Sequence, residues 1–338
     1  MFTKKALFIH ILAAWGILTS SAQTAIVPST ATQQRMLDEE RSFLSQMKPG
    51  LQHTQMLAVR AAISGHDTAL QQIRQSRNVA PALPEGVKAL YPTPNLCVFM
   101  PDRVSTRQRP VLLYLHGGGW CFGSINSCTR FCAALAMKAD CCVAALNYRL
   151  SPTYSYPTPL DDCKAAFAYL KQHATEWGGD TTQVSVGGDS AGGNLALSTA
   201  LSVRGVCKVI PIYPVTKVFT VPSASWQKYA QGYGNDAELL EAFNEAYARH
   251  EAHNPRVSPG LASDSALQCL PDMMILSAGH DILFDQTAEL SSRLQRMGHP
   301  LRYHVFPTAT HLFITVPGQP TAFNEAVNAV ADFITSAQ

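Results

Sequence analysis

Residues 188–192 read Gly-Asp-Ser-Ala-Gly and follow the apolar-rich stretch Gln183-Val184-Ser185-Val186. This is the strand–turn–helix context of a nucleophile elbow, and it constrains the fold more than any other feature of the chain. A serine at the apex of so sharp a turn occupies a strained backbone conformation. The residues two positions to either side must lack a Cβ if the strand and helix are to pass each other. Gly188 and Gly192 meet that need, and the turn lifts the Ser190 hydroxyl clear of the strand ends.

A second glycine motif lies 74 residues upstream. Val111-Leu112-Leu113-Tyr114-Leu115 reads as a short buried strand opening into His116-Gly117-Gly118-Gly119-Trp120. Consecutive glycines after a strand leave main-chain N–H groups free to point at an anion. Acyl transfer needs such donors, because its tetrahedral intermediate concentrates negative charge on one oxygen, and losing one typically costs on the order of 10²–10³ in rate. By itself the loop would read as a tight turn; paired with Ser190 it reads as an oxyanion hole. The amides of Gly118, Gly119 and Ala191 are the expected donors, with Gly117 shaping the turn.

Together, His116-Gly-Gly-Gly-Trp120, Tyr148-Arg149-Leu150-Ser151-Pro152, Asp161-Asp162 and Gly188-Asp-Ser-Ala-Gly-Gly193-Asn194 resemble the hormone-sensitive-lipase-like esterases of the α/β-hydrolase superfamily. The resemblance runs from about residue 86 to the C-terminus. It implies an α/β-hydrolase fold: a mostly parallel eight-stranded sheet flanked by helices and covered by a helical cap. It also implies a serine carboxylesterase acting on short- to medium-chain acyl esters without metal or organic cofactor.

A nucleophile needs a base, and the base an orienting acid; in α/β-hydrolases they follow in the order Ser, Asp or Glu, His. Of the histidines beyond Ser190, His250 and His253 fall in the expected cap, His299 at a helix–strand junction and His304 inside a strand. His311 lies just after the last predicted strand, where the base belongs, although Leu312 stands where the resembled family has glycine. Asp281, after the predicted strand 273–277, is the candidate acid. Asp285 is its rival but opens a helix, where a carboxylate favours the dipole without catalytic duty. His280 adjoins the acid too closely to bridge it to Ser190. His116, Trp120, Arg149 and Asp161 read as braces for the loops.

Strand-like runs alternate with helical stretches along the chain, as a parallel sheet covered on both faces requires. Residues 33–47 and 52–78 show helical periodicity and residues 215–268 interrupt the alternation; the resemblance implies that residues 23–80 and that insertion form a cap, with residues 81–338 as the catalytic domain. At the N-terminus, Lys4 and Lys5 precede the apolar run Ala6–Leu18 and then Ser20-Ser21-Ala22. Residues 1–22 therefore read as a cleavable signal peptide, too short to span a bilayer at roughly 20 apolar residues, and the expected location is secreted or periplasmic. Without those two lysines the basic count falls from 26 to 24, equal to the acidic count, so nothing favours nucleic acid or a stable membrane anchor. None of the nine cysteines has zinc-ligand spacing, and Cys121–Cys128 is a conceivable loop bridge. The expected partner is a small-molecule ester; a homodimer paired through sheet edges stays open. So do an amide-cleaving relative, such as an arylformamidase or peptidase, and a ligand-binding protein on a hydrolase scaffold, although the presence of His311 counts against the latter.

Overall fold

The computed structural model describes residues 25–336; the signal-peptide reading of residues 1–22 lies outside them. Eight strands form one sheet in the order β1-β2-β4-β3-β5-β6-β7-β8. They are β1 (Val87–Thr93), β2 (Leu96–Pro101), β3 (Arg109–Leu115), β4 (Cys142–Leu146), β5 (Gly179–Asp189), β6 (Val209–Ile212), β7 (Met273–His280) and β8 (Leu301–Thr310). The β1–β2 and β2–β4 pairs are antiparallel and the others parallel. Alternate residues feed opposite faces, as the pleat dictates: Val111, Leu113 and Leu115 join one core cluster, Leu112 and Tyr114 the other.

The N-terminal segment expected to serve the cap as a whole divides in two. Helix α1 (Thr30–Ser45) lies against the body of the fold: Met36 packs in the cluster containing Phe306 and Phe313, and the Glu39 carboxylate accepts from Thr321 N at 2.9 Å. The predicted helix at 52–78 is broken at 64–67, where Gly65 turns with φ +93°, into α2 (Leu51–Ile63) and α3 (Thr68–Arg77). Next come α4 (Ile125–Ala139), α5 (Thr158–His173), α6 (Ala191–Ala200) and α7 (Ala224–Lys228). They are followed by α8 (Ala237–Ala248), α9 (Asp264–Gln268), α10 (Phe284–Arg296) and α11 (Pro320–Thr335). Helix α2 packs against α8 within the insertion. The β8 edge is partly covered, since Ile26 pairs with it in parallel, donating to Tyr303 O and accepting from Val305 N.

Cys121 and Cys128 are buried free thiols, in no disulfide. They cannot meet because they enter different core clusters; Cys128 Sγ instead contacts Ile125 O at 3.3 Å within its own helix.

Candidate active site

The strand ends gather the machinery at one edge of the sheet. Ser190 sits between β5 and α6 with φ +56°, a left-handed value that only a tightly constrained turn imposes on a side chain. A methyl group at Gly188 or Gly192 would run into the carbonyl oxygen of Leu115, so both glycines are steric requirements of the turn. Ser190 Oγ lies 2.8 Å from His311 Nε2, and His311 Nδ1 lies 2.6 Å from Asp281 Oδ2. The hydroxyl donates to Nε2, which leaves the proton on Nδ1 to be donated to the carboxylate. The other Asp281 oxygen accepts from Leu283 N at 3.0 Å, fixing the carboxylate plane. All three side chains are buried, Ser190 at 8% exposure. In that low-dielectric setting the hydrogen bonds are electrostatically stronger than they would be in water.

The rival residues are accounted for elsewhere. Asp285 accepts from Ser225 N at 2.8 Å and so ties the insertion to α10. His280 pairs with the buried carboxylate of Glu40 on α1, beside the rings of Tyr229 and Tyr233. His299 contacts Leu270 O, and His304 lies within β8.

The loop after β3 presents Gly118 and Gly119 with φ +110° and +60°. Gly118 O accepts from Cys121 N and Phe122 N, closing a turn, while the amides of Gly118 and Gly119 donate to no group among the described residues. The Ala191 amide opens α6, where the first N–H groups have no carbonyl partner within the helix. Gly117, expected in the oxyanion-hole loop as the residue that shapes its turn, does not itself donate to the hole. Its N–H is engaged by Asp189 Oδ1 at 3.1 Å, and its lack of a Cβ leaves room for that carboxylate.

Asp189 is the residue that sequence reasoning missed, although it sits inside the serine motif. It is buried, accepts from Tyr114 OH at 2.8 Å, and burial pushes its pKa up to about 6. It therefore links the strand before the nucleophile to the oxyanion loop. His116 braces the same loop: its ring stacks on Tyr148 at 4.3 Å, Nδ1 donates to Gly117 O, and burial draws its pKa down to about 4, so it is neutral near pH 7. Trp120 stacks on Tyr247 of α8. Arg149 forms its bidentate ion pair with Asp162; Asp161, the expected brace, instead pairs with Lys164.

The insertion closes over the site. The Phe243 ring of α8 lies where a Gly119 side chain would begin, and Leu312 packs against Gly234 of the insertion loop. Neither contact has a periodic signature. Each is a bulky side chain opposite a glycine distant in sequence.

Comparison with known proteins adds to this geometry. A family model described as alpha/beta hydrolase fold matches residues 112–315. The chain is 31% identical over 258 residues to the esterase LipI of Mycobacterium tuberculosis, covering 73% of this chain and 77% of the relative. It is 36% identical over 211 residues to an ethyl acetate hydrolase of Pseudomonas putida, covering 60% and 65%. Among solved structures, an α/β-hydrolase enzyme from the metagenome of Lake Arreo superposes with a TM-score of 0.71 at 27% identity, covering 90% of this chain and 96% of that one.

Proposed function

The chain belongs to the hormone-sensitive-lipase-like esterases of the α/β-hydrolase family and is a carboxylic ester hydrolase; from that premise we propose that it cleaves short- to medium-chain acyl esters through Ser190, His311 and Asp281. The observation that carries this reading is the continuous hydrogen-bond line from the Ser190 hydroxyl through His311 to Asp281.

In the proposed mechanism His311 Nε2 takes the Ser190 proton as Oγ attacks the ester carbonyl. Asp281 holds the imidazole with Nδ1 protonated and balances the charge it acquires. The amides of Gly118, Gly119 and Ala191 receive the oxyanion. His311 then returns its proton to the departing alcohol, leaving an acyl group on Ser190. A water molecule deprotonated by the same imidazole attacks the acyl carbonyl, and the acid is released as Oγ recovers its proton.

Two features favour a modest acyl chain. Phe243 lies directly on the oxyanion loop, and the similar Pseudomonas putida protein is an ethyl acetate hydrolase. An acyl-length series of p-nitrophenyl esters tests this. Turnover is expected to be highest for short and medium chains, to fall for long ones, and to drop by at least 10³-fold in Ser190→Ala. A flat profile would remove the proposed preference, and an active Ser190→Ala would remove the proposed nucleophile. We further propose export, on the charged and apolar pattern of residues 1–22; the mature N-terminus from an expressing cell should fall near Gln23, and an uncleaved Met1 start would contradict it.

A further inference from the structure

We infer that Arg74, on the N-terminal helix α3, is a positioning residue for the oxyanion hole. Its guanidinium clamps the back of the turn that carries Gly118 and Gly119. This inference rests on the ester-hydrolase reading of the site and adds to it a residue about 40 positions before the His116-Gly-Gly-Gly-Trp120 motif.

Arg74 Nε donates to Cys121 O at 2.8 Å, and its Nη2 donates to Ser151 O at 2.6 Å. Both acceptors belong to the oxyanion turn or to the segment bound to it. The Cys121 and Phe122 amides donate to Gly118 O, and Ser151 N donates to Trp120 O at 2.9 Å. One planar fork therefore joins the turn to the neighbouring segment, beside the Ser151 N to Trp120 O bond and the Tyr148 hydroxyl that donates to His116 O. A guanidinium suits this task because its donors are fixed in one plane, whereas an ammonium offers a rotating point charge. The turn needs such support: Gly118, Gly119 and Trp120 all have positive φ.

The contact is not an isolated one. One turn on, the Arg77 guanidinium lies 5.3 Å from the centroid of the Phe122 ring. At the end of the helix, Asn78 Oδ1 accepts from Ser124 Oγ at 2.7 Å and Asn126 Nδ2 at 2.8 Å. Helix α3 thus follows the return leg of the loop from 121 to 126. Of these contacts, Arg74's is to Cys121, whose amide closes the turn on Gly118 O, and an oxyanion hole loses much of its effect when its donors shift by even about 1 Å.

The test uses the full mature chain and its Arg74→Ala, Arg74→Lys and Arg74→Met variants. Hydrolysis of p-nitrophenyl acetate is measured with and without added guanidinium ion at low millimolar concentration. A trifluoromethyl ketone, which forms a tetrahedral oxyanion on the serine, reports the hole directly. In all three variants kcat is expected to fall about 10–100-fold with KM within about threefold, and ketone affinity to fall by the same factor as kcat/KM. Arg74→Lys should be closest to wild type, and guanidinium should restore part of the activity of Arg74→Ala. Equal kcat in wild type and variants, or a loss confined to KM, would overturn the role. So would a fall in kcat without matching loss of ketone affinity, or a failure of both Arg74→Lys and guanidinium to restore activity to a variant that melts as wild type does. An inactive wild type would instead count against the ester-hydrolase reading itself.

Discussion

At the scale of single residues, the serine motif contributes a nucleophile and, in Asp189, a second carboxylate with a different task. Burial raises the Asp189 pKa to about 6, above the ordinary 3.8. A carboxyl raised in the fold favours folding through its neutral form. That contribution is complete below the unfolded value and is lost as pH rises through about 6. Asp189→Asn keeps an acceptor for Gly117 N and Tyr114 OH but cannot ionise. The melting temperature of wild type relative to this variant is therefore expected to fall between about pH 4 and pH 6 and to level off above, a trend paired thermal melts would read. His116→Ala removes the ring stacked on Tyr148 and the bond to Gly117 O. Its kcat should drop roughly tenfold, less than the 10²–10³ of a lost donor, because the loop amides remain; unchanged kcat would refute the bracing role. Gly119→Ala should do greater harm, since its methyl would enter the Phe243 ring from a backbone at φ +60°. Adding Phe243→Ala should recover part of that loss.

At the scale of elements, the strands and their connections were legible because each carries a local signal. The β3 run 111–115 and the turn at Ser190 both lie where an apolar run and glycine placed them. Asp281 and His311 could be picked because both fall at strand ends, one after β7 and one after β8. What could not be read was how distant elements interlock. The Arg74 clamp and the Leu312–Gly234 contact depend on tertiary proximity, and periodicity within one helix does not report what lies across from it; the α2–α3 break, by contrast, has a local cause in Gly65. Gln52 of α2 shows the consequence. Its Nε2 donates to Gly234 O at 2.8 Å and its Oε1 accepts from Asp236 N at 3.2 Å, so one side chain holds both ends of a bend in the insertion loop. Gln52→Ala should accelerate amide hydrogen exchange across 232–236 by about 5–30-fold, at about 1 kcal/mol for each bond lost. Exchange unchanged there would mean that Gln52 does not hold the loop.

At the scale of the molecule, the N-terminal segment binds together regions that the sheet leaves separate. Helix α1 presents Glu40 to His280 beside the acid, α2 holds the insertion loop, and α3 braces the oxyanion turn. Met36, 1% exposed, anchors α1 against the body of the fold. Met36→Ala should cost about 2–5 kcal/mol, lowering the melting temperature by roughly 5–15 °C while leaving kcat per folded molecule near wild type at 25 °C. A lowered kcat with unchanged melting temperature would instead give α1 a direct part in the chemistry. The account as a whole depends on Ser190 being the atom that takes the acyl group. Intact-protein and peptide mass spectrometry after reaction with a fluorophosphonate measures this most directly. The expected result is one adduct per chain, on the peptide containing Ser190, formed in step with loss of esterase activity and absent from both Ser190→Ala and His311→Ala. An adduct on another residue, or full labelling in Ser190→Ala, would contradict it.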